Sequence, residues 1–204
     1  MHERPRRTQR ERTESSRAAL VGAGRRLFGA HGYAGVGTER LAREAGLTRG
    51  ALYHQFPDKT ELFAAVLAQV EAEIAERMVV AGSGVPDPQD TVALLLAGAN
   101  AFLDACTEPD IQRVVLLDGP SVLGWPRWRQ ICLEHSVGLV SAVLAEGIRQ
   151  GTIAPQPVEP LTHVLVGAVD EAALYVARAA DPATARTDVD LVLRRLATAL
   201  ARPD

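Results

Sequence analysis

The residues best equipped for chemistry stand close together in the stretch TERLAREAGLTRGALYHQFPDK, residues 38–59. Their side chains are hydrogen-bond donors: the hydroxyls of Thr38, Thr48 and Tyr53, the guanidinium of Arg49, the imidazole of His54 and the ammonium of Lys59. All of these groups can serve phosphate oxygens, and an arginine fork also matches the O6 and N7 edge of guanine. Gly50 lets a second backbone come close, and Ala51 either touches a thymine methyl or simply keeps the surface thin. Base contact, phosphate contact and a solvated charge are all open for Arg49. Capping alone would account for Thr38, and Gln55 is a peripheral contact or none.

Two short helices are needed to hold this set. Thr38 is placed to N-cap the first, with Leu41, Ala42 and Ala45 on its apolar face. Gly46 stands where a left-handed residue ends a helix. Thr48 caps a second helix, Arg49 to Gln55, which Pro57 stops by lacking an N–H and by disfavouring helical geometry at Phe56. Helix, glycine turn and helix make a helix-turn-helix, whose second helix presents its N-terminal residues to the major groove.

The run resembles the DNA-binding domain of the TetR family of bacterial transcriptional regulators. The resemblance is carried by Thr38, Leu41-Ala42, Ala45-Gly46-Leu47-Thr48, Gly50, Leu52-Tyr53, Phe56 and Lys59, and continues upstream through Leu27-Phe28, Gly32-Tyr33 and Val36. It covers roughly residues 15–65; the rest of the chain matches in helical character and length alone. The resemblance implies that Tyr53, His54 and Lys59 contact the DNA backbone. It also implies a homodimer formed through the last two helices and a pocket in the body for an unidentified small-molecule effector.

Charge is distributed to suit such a division. Residues 1–60 hold 12 basic against 6 acidic side chains, whereas residues 61–204 hold 10 against 19. A basic end on an acidic body confines nucleic-acid binding to that end. Residues 1–13, Arg-rich and almost without apolar side chains, are expected to be a disordered arm that follows phosphates, reaches a minor groove or has no fixed role. No apolar run of membrane-spanning length occurs, and no secretory leader is recognisable, so no membrane partner and a cytoplasmic location are expected. Cys106 and Cys132 lie in apolar helical patterns and are expected to be reduced core thiols.

The whole chain reads all-α: a three-helix DNA-binding domain over 14–58 and an effector-binding and dimerisation domain over 59–204. The first helix is expected over 15–31, with Leu20, Gly24, Leu27 and Phe28 on one face. Asp58 and Glu61 read as a capping box opening a long helix over 59–80, in which Leu62, Val66, Val70 and Ile74 recur every fourth residue. Asp87 and Pro88 are expected to open the next helix, followed by a short helix over 110–117 and a turn-rich loop over 118–126. One continuous helix is expected from Pro126 to Gln150, then helices over 161–179 and 188–201 with small residues Ala168, Ala172 and Ala197 in their seams. Candidate pocket residues are Phe102, Leu116, Trp125, Trp128, His135 and Tyr175. His135 is either a ligand contact or a satisfied core histidine.

Enzymatic constellations are missing from the sequence. The five histidines show no HExxH spacing and the two cysteines no CxxC, so neither a catalytic group, a metal site nor a cofactor is expected. The expected function is a sequence-specific, DNA-binding transcriptional regulator, a repressor that leaves an inverted-repeat operator when a small molecule binds. The alternative is a sensor or scaffold module for a small molecule or protein, without specific DNA binding.

Overall fold

A computed structural model describes residues 8–201 and is built of helices, with one isolated β-bridge between Ile153 and Ala201. The N-terminal unit is α1 (Gln9–His31), α2 (Thr38–Glu44) and α3 (Arg49–Gln55). The body follows as α4 (Lys59–Ser83), α5 (Thr91–Ala105), α6 (Pro109–Gln112), a π-helical turn (Arg113–Asp118), α7 (Gly119–Leu123), α8 (Trp125–Glu134), α9 (Ser136–Gln150), α10 (Val158–Arg178) and α11 (Pro182–Thr198). Among the described residues, no single helix is long and apolar enough to cross a membrane.

α4 connects the two units. At 25 residues it spans about 37 Å. Its fully buried residues Leu62, Phe63, Val66, Leu67, Val70 and Ile74 run from the DNA-binding unit into the body. Phe63 packs edge-on against both Phe28 and Tyr33, with ring centroids 5.3 and 5.4 Å away. Asp58 caps α4 as expected, its Oδ1 accepting from the Glu61 N–H at 2.9 Å. The reciprocal arm of the box is diverted, because the Glu61 carboxylate instead receives two hydrogen bonds from Arg127 at 2.7 Å each.

Several expected boundaries move, each for a local reason. α1 starts six residues earlier than expected, since Thr8 and Glu11 form a complete capping box. Residues 9–13 of the expected arm are therefore helical, and residues 1–7 lie outside the described residues. Gly37, not Thr38, is the N-cap of α2, and Thr38 is its first helical residue. α5 is capped by Asp90, whose Oδ1 accepts from Ala93 N, and Asp87 instead closes a turn onto Gln89 N. The stretch expected as a loop, 118–126, is largely helical: Pro120 sits in the first turn of α7, where no N–H is required, and Ser121 Oγ donates to the Leu117 and Asp118 carbonyls. Asp181 starts α11 rather than ending α10, accepting from the N–H groups of Ala183 and Thr184.

The expected continuous helix over 126–150 is broken at His135, and α8 and α9 meet at 61°. Gly138 permits the break, since a Cβ there would lie 2.7 Å from the Leu133 carbonyl oxygen. The bend brings Ser136 against α4, where its Oγ donates to the buried Glu71 carboxyl at 2.5 Å. On α10 and α11, Ala168 and Ala197 face inward, and Ala172 is half-buried. The apolar residues exposed on these helices are instead Val164, Tyr175, Leu191, Val192 and Leu196.

Phe63 has no exposed surface and ties α4 to α1 and to the turn that follows it. Phe63→Ala is expected to cost about 3–5 kcal/mol in urea unfolding; a loss under about 1 kcal/mol would contradict this account of the junction.

Candidate nucleic-acid interface and internal cavity

The turn between α2 and α3 folds for the reasons read from the sequence. Gly46 has φ +67°, a conformation that favours glycine, and Thr48 Oγ1 accepts from Ala51 N at 3.2 Å. Leu41, Leu52 and Phe56 are buried behind the turn, and their burial fixes which face of α3 points outward. That face carries Arg49, Gly50, Tyr53 and His54, all exposed, with Thr48 exposed at its head and Ala51 half-buried.

Arg49 folds back on its own unit. Its Nη1 donates to Glu39 Oε1 at 3.3 Å, and its guanidinium lies 5.6 Å from the centre of the Tyr53 ring. Tyr53 and then Glu39 raise the Arg49 pKa. Thr38 and then Arg49 lower that of the Tyr53 hydroxyl. Thr38, Arg49 and Tyr53 thus form one polar cluster on the outer face. These contacts are solvent-exposed, so they are weak, salt-screened and readily exchanged.

Lys59 sits differently from the other predicted contacts. It is half-buried; its Nζ donates to the Tyr33 and Val36 carbonyls at 3.0 and 3.1 Å and lies 3.9 Å from the Tyr33 ring centre. It closes the turn between α1 and α2, which leaves it at most one N–H for an outside oxygen. Sequence reasoning passed over Arg17, which lies over the Phe56 ring at 4.3 Å and reaches the Gln55 carbonyl at 3.4 Å. It adds an exposed cation beside the end of α3. Its only sequence signal was the basic character of this end.

Besides the packing of α4 on α1, the body grips the DNA-binding unit through the segment Pro109 to Glu134. Arg25 on α1 pairs with Asp110 at 3.1 Å and with Glu73 at 2.8 Å. Arg113 Nη1 donates to the carbonyls of Gly29 and Ala30, at 3.0 and 2.8 Å, in the last turn of α1. Asp118 Oδ2 accepts from Tyr33 N at 2.7 Å, just past that helix. Arg127 holds Glu61 at the start of α4, lowering the Glu61 pKa through their hydrogen bonds.

The same segment forms part of the wall of a partly open cavity of about 80 Å³ in the body. The lining comes from α4, α5, the π-turn and α8 to α11, and is mostly aliphatic. Of the six residues proposed from sequence, Phe102 and Trp128 line it. Leu116 is buried elsewhere, Trp125 is exposed, His135 marks the break between α8 and α9, and Tyr175 lies on an outer cleft with Arg178 and Asp181. The cavity's polar corner is Glu71, Arg129 and Ser136, which the sequence reading missed, together with Asp170. Arg129 pairs with Asp170 at 3.1 Å and stacks 4.4 Å from the Trp128 ring centre. Both cysteines are free and buried, and burial raises their thiol pKa values.

A capped, outward-facing second helix behind a glycine turn, on an all-helical body, defines a helix-turn-helix DNA-binding protein. Comparison with known proteins gives the family. Residues 20–66 match the model of bacterial regulatory proteins of the tetR family, and residues 92–200 match that of the tetracyclin repressor-like C-terminal domain. A TetR-family transcriptional regulator of Pectobacterium atrosepticum is 33% identical, with TM-score 0.76, over 97% of this chain and 100% of that one. The transcriptional repressor AcnR of Corynebacterium diphtheriae is 32% identical over 63% of this chain and 61% of its own length. The transposon Tn10 TetC protein of Escherichia coli is 24% identical over 78% of this chain and 79% of its own. The chain belongs to the TetR family and is a DNA-binding transcriptional regulator.

Asp118 supplies a carboxylate to a backbone N–H that is otherwise left over at the end of α1. Asp118→Ala is expected to lower unfolding stability by about 1–3 kcal/mol, in the range for a part-buried hydrogen bond to a charged group. An unchanged urea midpoint would mean that the body does not hold α1 through this contact.

Proposed function

We propose that the protein is a repressor that binds an inverted-repeat operator as a homodimer and leaves it when a small molecule enters the cavity in the body. The observation that carries this reading is the outer face of α3, where Arg49, Gly50, Tyr53 and His54 stand exposed on a helix capped by Thr48. In this reading α3 enters the major groove, and Arg49 leaves Glu39 to donate to a guanine edge. Thr38, Tyr53 and His54 meet phosphates, Thr48 faces the groove at the helix start, and Lys59 contributes mainly by closing the turn behind them.

Gly50 supports the reading by its lack of an internal reason. An added Cβ would meet only Thr48 Oγ1, at 3.9 Å, so the fold itself has room for alanine. A glycine inside an exposed helix costs about 1 kcal/mol relative to alanine. Close approach of a DNA backbone supplies the missing reason.

The exposed apolar residues of α10 and α11 support the dimer. Val164 and Tyr175 are eleven residues apart, three turns along one face of α10, and Leu191, Val192 and Leu196 continue the apolar surface on α11. Pairing these faces two-fold sets two α3 helices on one side of the duplex, as an inverted repeat requires. Leu196 lies on this surface and also on the cavity wall, so the ligand site adjoins the dimer seam.

Coupling follows from the shared segment. Val115, Trp128 and Arg129 face the cavity, and Arg113, Asp118 and Arg127 hold α1 and the start of α4. Trp128 Nε1 donates to the Val115 carbonyl at 2.9 Å, tying α8 to the π-turn. A ligand that favours another position of α8 shifts the population with α3 correctly spaced; one that fits both positions equally shifts nothing.

Selection from random duplexes with a salt series tests the reading: an enriched inverted repeat bound with a steep salt slope is expected, and weak binding without preferred sequence would overturn it. On the selected operator, Arg49→Ala is expected to lose about 1–3 kcal/mol, roughly 5- to 150-fold, while non-specific binding changes little. Gly50→Ala is expected to raise unfolding stability by up to about 1 kcal/mol and to weaken operator binding. If Gly50→Ala bound the operator as tightly as the parent, the close-approach argument would fail.

A further inference from the structure

The wall of the cavity carries chemical information about its occupant, an inference that rests on the reading of the cavity as an effector site. Aliphatic side chains from α5, α9, α10 and α11 make most of the wall. At one corner, Glu71 of α4, Arg129 of α8, Ser136 of α9 and Asp170 of α10 converge. Both carboxyl groups there already accept from protein donors: Asp170 from Arg129 Nη2 at 3.1 Å, Glu71 from Ser136 Oγ at 2.5 Å and from Cys132 Sγ at 3.4 Å. The Arg129 guanidinium is stacked against two indoles, 4.4 Å from the Trp128 ring centre and 5.0 Å from that of Trp125. Arg129 as a whole is 6% exposed. Among the described residues lining the cavity, Arg129 Nε is the one buried side-chain polar atom with no hydrogen-bond partner.

An unpaired buried N–H in a side chain that lines the cavity asks for an acceptor and, having no accessible surface, meets one only once the wall opens. Charge then narrows the choice. Arg129 and Asp170 already balance each other's charge, and burial pushes the Glu71 carboxyl up, toward its uncharged form. An incoming anion would sit beside two carboxyl groups with only one cation, itself already paired. An incoming cation would add a buried charge beside an aspartate that Arg129 already balances. A neutral acceptor satisfies Nε and buries no new charge.

We propose that the effector is a neutral, mostly hydrocarbon molecule of about one ring that carries a hydrogen-bond-accepting oxygen, such as an aryl ketone or ester, and that Arg129 Nε–H donates to that oxygen. The cavity is smaller than the roughly 150 Å³ in which benzene has been held. Met78 and the half-buried Leu95 and Leu96 must therefore give way, and an unbranched methionine repacks easily.

Four ring probes of similar size separate the cases: acetophenone, ethylbenzene, benzoate and benzylammonium, titrated into the full-length protein at neutral pH and followed by ligand-observed NMR. Acetophenone is expected to bind about tenfold tighter than ethylbenzene, the scale of one hydrogen bond, and both charged probes more weakly than either. Arg129→Lys keeps a positive charge opposite Asp170 but removes Nε, and should bring acetophenone down to the affinity of ethylbenzene. Ala99→Leu, which fills the cavity, should remove binding of all four. Equal affinity for acetophenone and ethylbenzene, tightest binding of benzoate or benzylammonium, or an unchanged ranking in Arg129→Lys would overturn the proposal and leave the effector site standing. If none of the four binds, the effector reading itself falls along with it. Should Arg129→Lys fail to fold, the ranking on the parent protein decides alone.

Discussion

The structure depends on how the body satisfies the end of α1. A helix leaves its last carbonyls without partners, and those of Gly29 and Ala30 are taken by Arg113. Just beyond, the Tyr33 N–H is taken by Asp118. These groups belong to the DNA-binding unit, but their partners belong to the start and end of a π-turn in the body. The two units therefore share one set of backbone hydrogen bonds. A body that rearranged could not leave those groups unpaired without cost, so α1 must follow the π-turn or find water.

That constraint explains why the region from α6 to α8 is built of short, differently wound pieces. A single straight helix from Pro109 to Glu134 would present one stripe to one neighbour. The π-turn, the tight α7 and the Gly124 break, with φ +73°, let the segment face both ways. Val115 and Trp128 face inward, whereas Arg113 and Asp118 reach the other unit and Arg127 holds the start of α4 beside it. π-helical turns often occur where a helix carries function instead of only packing.

How much of this was legible in the sequence follows the range of the interactions. The helix-turn-helix is set by local chemistry, so Gly46, Thr48 and Pro57 announced it, and the boundaries of α3 came out as read. The long apolar row of α4 is local as well. Thr38 was misplaced by one residue because Gly37 can serve as a cap without a side chain, a signal that sequence carries poorly. The break at His135 has neither proline nor glycine at the break itself; it sets Ser136 on Glu71, 65 residues away in the chain, a contact that no local spacing announces. The polar corner was hidden for the same reason. Arg129 and Asp170 look like ordinary surface residues until α8 and α10 meet, and nothing in the spacing of either helix shows that they will.

The misreading of the pocket has a physical lesson. Trp125, in the stretch expected as a loop, and Trp128, in the expected helix, were both candidate ligand contacts, and the two divide the work. Trp128 is inside and hydrogen-bonded to the π-turn, and Trp125 lies outside, its ring centre 4.9 Å from that of Trp128. Arg129 stacks on both. The indoles therefore hold the guanidinium plane from one side while Asp170 holds its edge. A guanidinium held in this way cannot swing out to solvent, so its buried Nε–H keeps its place and its need of an acceptor.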